Sequence, residues 1–191
     1  MGWPQKRVAW ISPDDYLAME VRAETKHEYL DGVVYDWQGT QAMAGGSKAH
    51  NRVSGNVYAS LREQLRGGPC AVFMADVRLH RADRQAYFYP DVAVTCSAAD
   101  RAEGDHIAEP AIVVEVLSPT TADFDRGDKF AAYRAIPSLQ AYVLVSPEGR
   151  SVEVFARDAD WRSAGEVRRS GCVELGAHGL RLELAEVFEG L

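Results

Sequence analysis

Apolar positions along the chain change their period several times, and each change marks an element. Val53, Val57, Leu61 and Leu65 recur every four residues, the spacing of a buried stripe on one helix face. They predict a long helix running to about Arg66, opened by the break Ala44-Gly45-Gly46-Ser47 and ended by Gly67-Gly68-Pro69. Ser12-Pro13-Asp14-Asp15 is another helix start, a capping serine followed by proline at the first helical position, for a short helix to about Glu20. Asp31-Gly32, set between Glu28-Tyr29-Leu30 and Val33-Val34-Tyr35, signals a tight hairpin. Beyond Pro69 the stretches Val72–His80, Tyr87–Thr95 and Ala111–Leu117 read as strands and Asp125–Ala135 as a helix. Leu139–Val145 and Ser151–Phe155 read as two strands paired through Pro147-Glu148-Gly149. A short helix near Ala185–Phe188 ends the series. The pattern predicts an α/β (α+β) fold, a sheet flanked by helices. With 191 residues and no linker, repeat or low-complexity block, a single domain spanning 1–191 is expected.

Hydrophobic residues make up 47% of the chain and charged residues 26%, the balance of an ordinary soluble globular protein. No apolar run is long enough to cross a bilayer, so no membrane partner is expected. The stretch from Met1 to Trp10 lacks the apolar core of a secretory signal. Cys70, Cys96 and Cys172 show no metal-ligand spacing, and an odd number cannot all pair within the chain. Reduced thiols in a cytoplasmic protein are the simplest expectation. The formal net charge of −7 argues against a generally basic nucleic-acid surface, because phosphate binding is driven by Lys and Arg. Acidic metal ligands would lower the net charge without that consequence, since a bound cation reverses the local sign. Lys48, Arg52, Arg62 and Arg66 fall in one segment and Arg168 adjoins Arg169, enough for a local basic patch. Exposed strand edges leave room for a homodimer.

Two carboxylates interrupt apolar runs. Glu115 lies within Ala-Ile-Val-Val-Glu-Val-Leu, and Asp91 begins Asp-Val-Ala-Val after Tyr89-Pro90. Taking an ionised carboxylate out of water costs several kcal/mol, about, unless a counter-charge or metal compensates. A divalent cation such as Mg²⁺ does so with one or two carboxylates and substrate phosphates; a buried salt bridge or an acid at a wet strand end is the other reading. Lys129 is one of only four lysines and lies on the helix after the Glu115 strand, one turn after Asp125 and one before Tyr133. There it could orient or deprotonate the attacking water, or stabilise charge on phosphorus. It could equally form a solvated i,i+4 pair with Asp125. His50, near the start of the long helix, should point inward as a metal ligand, a proton carrier or a hydrogen-bonded core histidine. Glu28, beside the Asp31-Gly32 turn, is a further carboxylate for the site or a surface acid. Asp76 is expected to make a structural hydrogen bond. Ser118, beside Pro119, is expected to stabilise its loop, and no Gly-x-Ser-x-Gly elbow surrounds it.

These residues occur in an order that resembles the Uma-two family. Glu28-Tyr29-Leu30-Asp31-Gly32, Ala42-Met43-Ala44-Gly45-Gly46-Ser47 and His50-Asn51-Arg52 are similar to its N-terminal half. Pro90-Asp91-Val92, Glu115-Val116-Leu117-Ser118-Pro119 and Asp125-Arg126-Gly127-Asp128-Lys129 resemble its core motif, and Pro137–Val145 its closing strand. The resemblance runs from about Ser12 to Phe155. It implies a restriction-endonuclease-like fold of the PD-(D/E)xK superfamily, with a central mixed sheet flanked by helices. It also implies a divalent-metal-dependent endonuclease acting on DNA, with Mg²⁺ or Mn²⁺ as cofactor. By that likeness Asp91, Glu115 and the main-chain carbonyl of Val116 hold the metal, and Glu28 and His50 complete the site. The superfamily motif expects lysine two residues after the glutamate, where this chain has Leu117; in this family the lysine moves to the following helix, which points to Lys129. Two other functions compete: a non-catalytic module of the same fold that binds DNA or a protein, and a metal-dependent hydrolase using His50, Asp91 and Glu115 on a small substrate. The latter requires a closed apolar pocket.

Overall fold

Local signals account for the N-terminal elements. After a short strand β1 (Lys6–Arg7), helix α1 (Pro13–Glu20) begins where Ser12 Oγ accepts a hydrogen bond from the Asp15 amide at 3.2 Å. Strands β2 (His27–Leu30) and β3 (Val33–Asp36) form the expected hairpin. Asp31 and Gly32 both take positive φ, 48° and 85°, the turn whose twist matches paired strands. The computed structural model describes residues 6–7, 10–36, 47–81, 83, 85–162, 167–176 and 178–191; the Ala42–Gly46 motif lies outside them. Helix α2 (Lys48–Gln64) is capped by Ser47, whose Oγ accepts from the His50 amide at 3.0 Å. Among the described residues no helix is long and apolar enough to cross a membrane.

The next strands are β4 (Ala71–Met74), β5 (Arg78–His80), β6 (Ala86–Phe88), β7 (Val92–Thr95), β8 (His106–Ile107) and β9 (Pro110–Val116). Two of the predicted long strands are therefore each divided. Val72–His80 breaks where Ala75 takes a φ of 56°, a left-handed conformation that cannot continue a strand. Tyr87–Thr95 breaks at Pro90, which has no N–H for the ladder. Each break sends its two halves to different sheets.

After β9 the chain crosses over through α3 (Ala122–Phe124), a π-helical turn (Asp125–Lys129) and α4 (Phe130–Arg134) into β10 (Ala141–Ser146). It then returns as β11 (Ser151–Ala156), followed by hairpin β12 (Cys172–Glu174) with β13 (Arg181–Glu183), and by α5 (Leu184–Val187). A five-stranded mixed sheet has the order β11-β10-β9-β7-β4, with β9 and β10 parallel and the other neighbours antiparallel. A second sheet has the order β1-β3-β2-β6-β5-β8. Residues of alternating parity on β9 point to opposite faces. Ile112, Val114 and Val116 pack with Val53, Val57 and Leu61 of α2, whereas Val113 packs with Phe124 and Tyr133 of the crossover. The chain thus has the expected mixed sheet with helices on both faces.

The expectation of reduced cysteines fails for two of the three. Cys70 and Cys96 are joined by a disulfide, and Cys172 is free and exposed. The register explains the pairing: Ala71 stands opposite Thr95 in the β4–β7 ladder, so the residues just outside that pair meet across the strand ends. Sequence spacing did not reveal it because the two cysteines are 26 residues apart. In the oxidised protein, Cys96→Ser should lower the unfolding free energy by about 3 kcal/mol, the entropy of closing a loop of this size. Urea titration with and without a thiol reductant checks this: reductant should bring the wild type down to the variant, and an unmoved midpoint would refute the cross-link.

Candidate active site

Strand β9 is buried over its whole length and carries Glu115 into the middle of the sheet. In the antiparallel ladder with β7, Val92 faces Val114 and Ala93 faces Val113. One more step of that register sets Asp91 opposite Glu115. Cross-strand partners share a face, so the two acids project together. Their side chains are 12% and 4% exposed, respectively. Among the described residues neither is paired with an arginine.

Lys129 meets this pair from the crossover. Its Nζ lies 2.8 Å from Glu115 Oε1, 2.8 Å from Glu28 Oε1 and 3.4 Å from Asp125 Oδ1. The i→i+5 turn over Asp125–Lys129 is a wider helical turn of the kind often found at functional sites. Here it turns Asp125 and Lys129 inward and leaves Arg126, Gly127 and Asp128 exposed. Glu28 is delivered by β2 and is 3% exposed, which excludes a surface acid. The Asp125–Lys129 pair exists, but it is buried and not solvated. Tyr133, one turn on, donates to Glu115 Oε1 at 2.9 Å.

The charges do not balance. Three carboxylates (Glu28, Glu115, Asp125) against one ammonium leave a net of −2 if all ionise. Burial drives Glu115 well above the ordinary carboxylate range; Lys129 pulls it back, and Asp125 and Asp91 push it further up. Glu28 and Asp125 are raised by burial too, again against the pull of Lys129. For Lys129 burial favours the neutral amine, but the three acids outweigh it and hold the group well above its usual value. Glu28 Oε1 has the ammonium beside it yet no aligned hydrogen-bond donor.

At the other carboxylate, the Val116 amide donates to Asp91 Oδ2 at 2.7 Å, and His50 Nε2 approaches the same oxygen at 3.2 Å. The imidazole also hydrogen bonds the Val116 main chain in a way that favours its protonated form, so the acceptor is the carbonyl. Burial lowers the His50 pKa, but Asp91 and this carbonyl more than offset it and the net shift is upward. When protonated, the ring places its charge against Asp91 and the Val116 main chain. Such a cluster of hard oxygens with excess negative charge fits a divalent cation.

The acids, Lys129, His50 and Val116 line one cleft of about 520 Å³ with Ser118, Thr120, Thr121 and Arg150 at its wall. Ser118 stabilises its loop as expected, accepting from the Thr121 amide at 3.3 Å. Asp76 takes its expected hydrogen bond from Lys26, at an exposed turn away from the cleft. Sequence reasoning missed Asp125 and Tyr133 as members of the cluster. Their positions one turn to either side of Lys129 were the available signal.

Removing the central cation exposes the imbalance. Lys129→Met should lower stability by about 3–5 kcal/mol at pH 8, the cost of leaving buried charge unpaired, and by less at pH 5. The sign follows from the acids: their folded pKa values lie above the unfolded ones, so their contribution is present at low pH. It is lost as pH rises from the unfolded carboxylate range through the raised folded values. Urea denaturation at the two pH values measures this, and an equal loss at both would show that the acids do not depend on Lys129.

The family described as "Putative restriction endonuclease", Uma2, matches residues 13–185. Two uncharacterized proteins of Synechocystis are similar: one is 38% identical over 95% of this chain and 93% of its own length, the other 33% identical over 78% and 82%. The fold matches the crystal structure of a "putative nuclease belonging to DUF820" from Anabaena variabilis with a TM-score of 0.76, at 15% identity, covering 93% of this chain and 97% of that one. With a family match over nearly its whole length and a nuclease fold beneath it, this chain belongs to the Uma2 family of restriction-endonuclease-like proteins.

Proposed function

We propose that this protein is a divalent-metal-dependent endonuclease that hydrolyses phosphodiester bonds in DNA, with Mg²⁺ or Mn²⁺ as its cation, and that it works in the cytoplasm. The observation that carries the reading is the cross-strand pair Asp91 and Glu115, set beside a lysine inside a buried cluster with more negative than positive charge. Asp91, Glu115 and the Val116 carbonyl hold the metal in this reading. Bound there, the metal supplies Lewis acidity, which activates water and neutralises charge developing on the phosphate.

The chain's own groups do the rest. Lys129 stays protonated, because three acids hold its pKa high, so it orients the attacking water and stabilises charge on phosphorus rather than acting as the base. Glu28 and Tyr133 fix the Lys129–Glu115 pair in place. His50 protonated bridges Asp91 and the Val116 carbonyl; neutral, it releases both oxygens and offers Nε2 as a ligand or proton acceptor. Hydroxyls of Ser118, Thr120 and Thr121 and the Arg150 guanidinium line the wall where a phosphate backbone would pass. Apolar side chains, Leu117, Pro119, Phe124 and Pro147 among them, make up the rest of the wall.

Cleavage of supercoiled plasmid should require Mg²⁺ or Mn²⁺. Asp91→Ala should lose metal binding by calorimetry and cleavage together; cleavage surviving that substitution would point to a contaminant. Lys129→Met, assayed where it remains folded, should keep metal binding and lose about 10²–10⁴ in rate. Loss of binding with a normal rate per bound metal would overturn its assigned role.

His50 contributes one part of the pH dependence, and protonation of the raised Glu115 the other. Its folded pKa is raised, and protonation ties up Asp91, so metal affinity should fall by up to about tenfold per pH unit as pH drops below that value. In His50→Ala the decline should flatten across the same range. A profile unchanged by the substitution would remove His50 from the metal site.

A further inference from the structure

At the far end of β7, five residues from Asp91 and so about 17 Å along an extended strand, lies a cluster the nuclease reading does not use. Cys96 Sγ is 3.3 Å from His178 Nε2, and one ligand atom from each of Cys70, Cys96 and His178 lies within 4.8 Å of the others. Three separate elements bring them together: Cys70 precedes β4, Cys96 follows β7, and His178 sits in the turn between β12 and β13. The Leu175 amide donates to the Leu180 carbonyl at 2.9 Å to close that turn, and His178 takes a φ of 54° at its tip. A non-glycine residue held there is sparsely populated backbone. A disulfide sulfur has no proton to give and little need of an imidazole, so the disulfide alone does not explain the histidine.

We propose that Cys70, Cys96 and His178 form a reductant-gated site for one thiophilic divalent cation of the Zn²⁺ class. With Zn–S near 2.3 Å and Zn–N near 2.0 Å, the edges of a tetrahedral site are roughly 3.5–3.8 Å; Cys96 Sγ, 3.3 Å from His178 Nε2, is already close to such an edge, and the two sulfurs, bonded to each other in the disulfide, part to that spacing once it is reduced. Two thiolates and an imidazole are the ligands that borderline-soft cations prefer, whereas the carboxylate cluster at Asp91 suits hard ones. Water takes the fourth position, from the groove that Cys96 and His178 share with Glu109. In a reducing compartment such cysteines rest as thiols.

The chemistry balances in two steps. A dithiol reductant gives two electrons and two protons to the Cys70–Cys96 bond, leaving two thiols and its own disulfide. The cation then displaces both thiol protons to solvent as two metal–sulfur bonds form, with no change in its charge state. Oxidation of the pair closes the site. Loaded, it ties the β12–β13 turn to the ends of β4 and β7. This inference is independent of the nuclease reading.

The test is a Co²⁺ titration of the full chain carrying Cys172→Ser, which removes the exposed free thiol, after reduction and anaerobic removal of reductant. A thiolate-to-cobalt charge-transfer band should saturate at one equivalent and bleach on addition of Zn²⁺. It should be absent in the oxidised protein and in Cys96→Ser, and need at least tenfold more Co²⁺ in His178→Ala. His178 is exposed, so that variant should fold, which circular dichroism checks. No charge-transfer band in the reduced protein would overturn the site. An unchanged affinity in His178→Ala would overturn the assignment of the histidine. Cobalt held by the Asp91 cluster lacks thiolate ligands and gives no such band, so failure of the nuclease reading does not mimic either result.

Discussion

The site is organised by one electrostatic demand: several carboxylates leave water around a single ammonium. Glu28, Glu115 and Asp125 arrive from β2, β9 and the π-helical turn, and each contacts Lys129 within 3.4 Å. Burying any of them alone would cost several kcal/mol, roughly. The elements that supply them are therefore coupled through Lys129, although they are far apart in the chain. Tyr133 adds a proton donor to Glu115 from the same helix face.

The rest of the fold serves that convergence. Pro90 ends β6 before β7 begins and leaves Asp91 at a strand start, where its carboxylate accepts the Val116 amide and meets His50 from the capped end of α2. Had Tyr87–Thr95 run on as one strand, Asp91 would have been a ladder residue between paired neighbours. The hairpin at Asp31-Gly32 brings β2 against β6, so Glu28 reaches Lys129 from the second sheet. The two sheets thus meet at the charged cluster.

Much of this was legible in the chain. The capped helices α1 and α2, the second with its regular apolar stripe, follow from local rules, as does the hairpin at Asp31-Gly32. Glu115 stood out because a charged residue in an apolar run needs a reason. What stayed hidden was long-range. Two strands read as continuous because nothing local separates a straight strand from two that part at Ala75 or Pro90 into different sheets. Glu28 looked like a surface acid because its burial depends on Lys129, about a hundred residues away in sequence. The Cys70–Cys96 pair depends on the β4–β7 register, and no spacing rule encodes that. The resemblance to the nuclease family located Lys129 where the residues alone allowed a solvated pair.

The imbalance of charge is what favours the proposed metal site over a purely structural cluster. A buried ion pair kept for stability would be neutral overall, and apolar residues of the same shape often do as well or better. Here one ammonium faces three acids, and His50, whose pKa Asp91 raises, sits between Asp91 and the Val116 main chain. As it stands, the cluster is held together by raised pKa values and by His50, both of which a divalent cation would relieve. In the proposed metal-bound form, Asp91 and Glu115 would hold the cation, and its charge would offset the cost of burying the acids. Binding energy would then appear partly as folding stability, and the same oxygens that are costly to bury would be the ones presented to the metal.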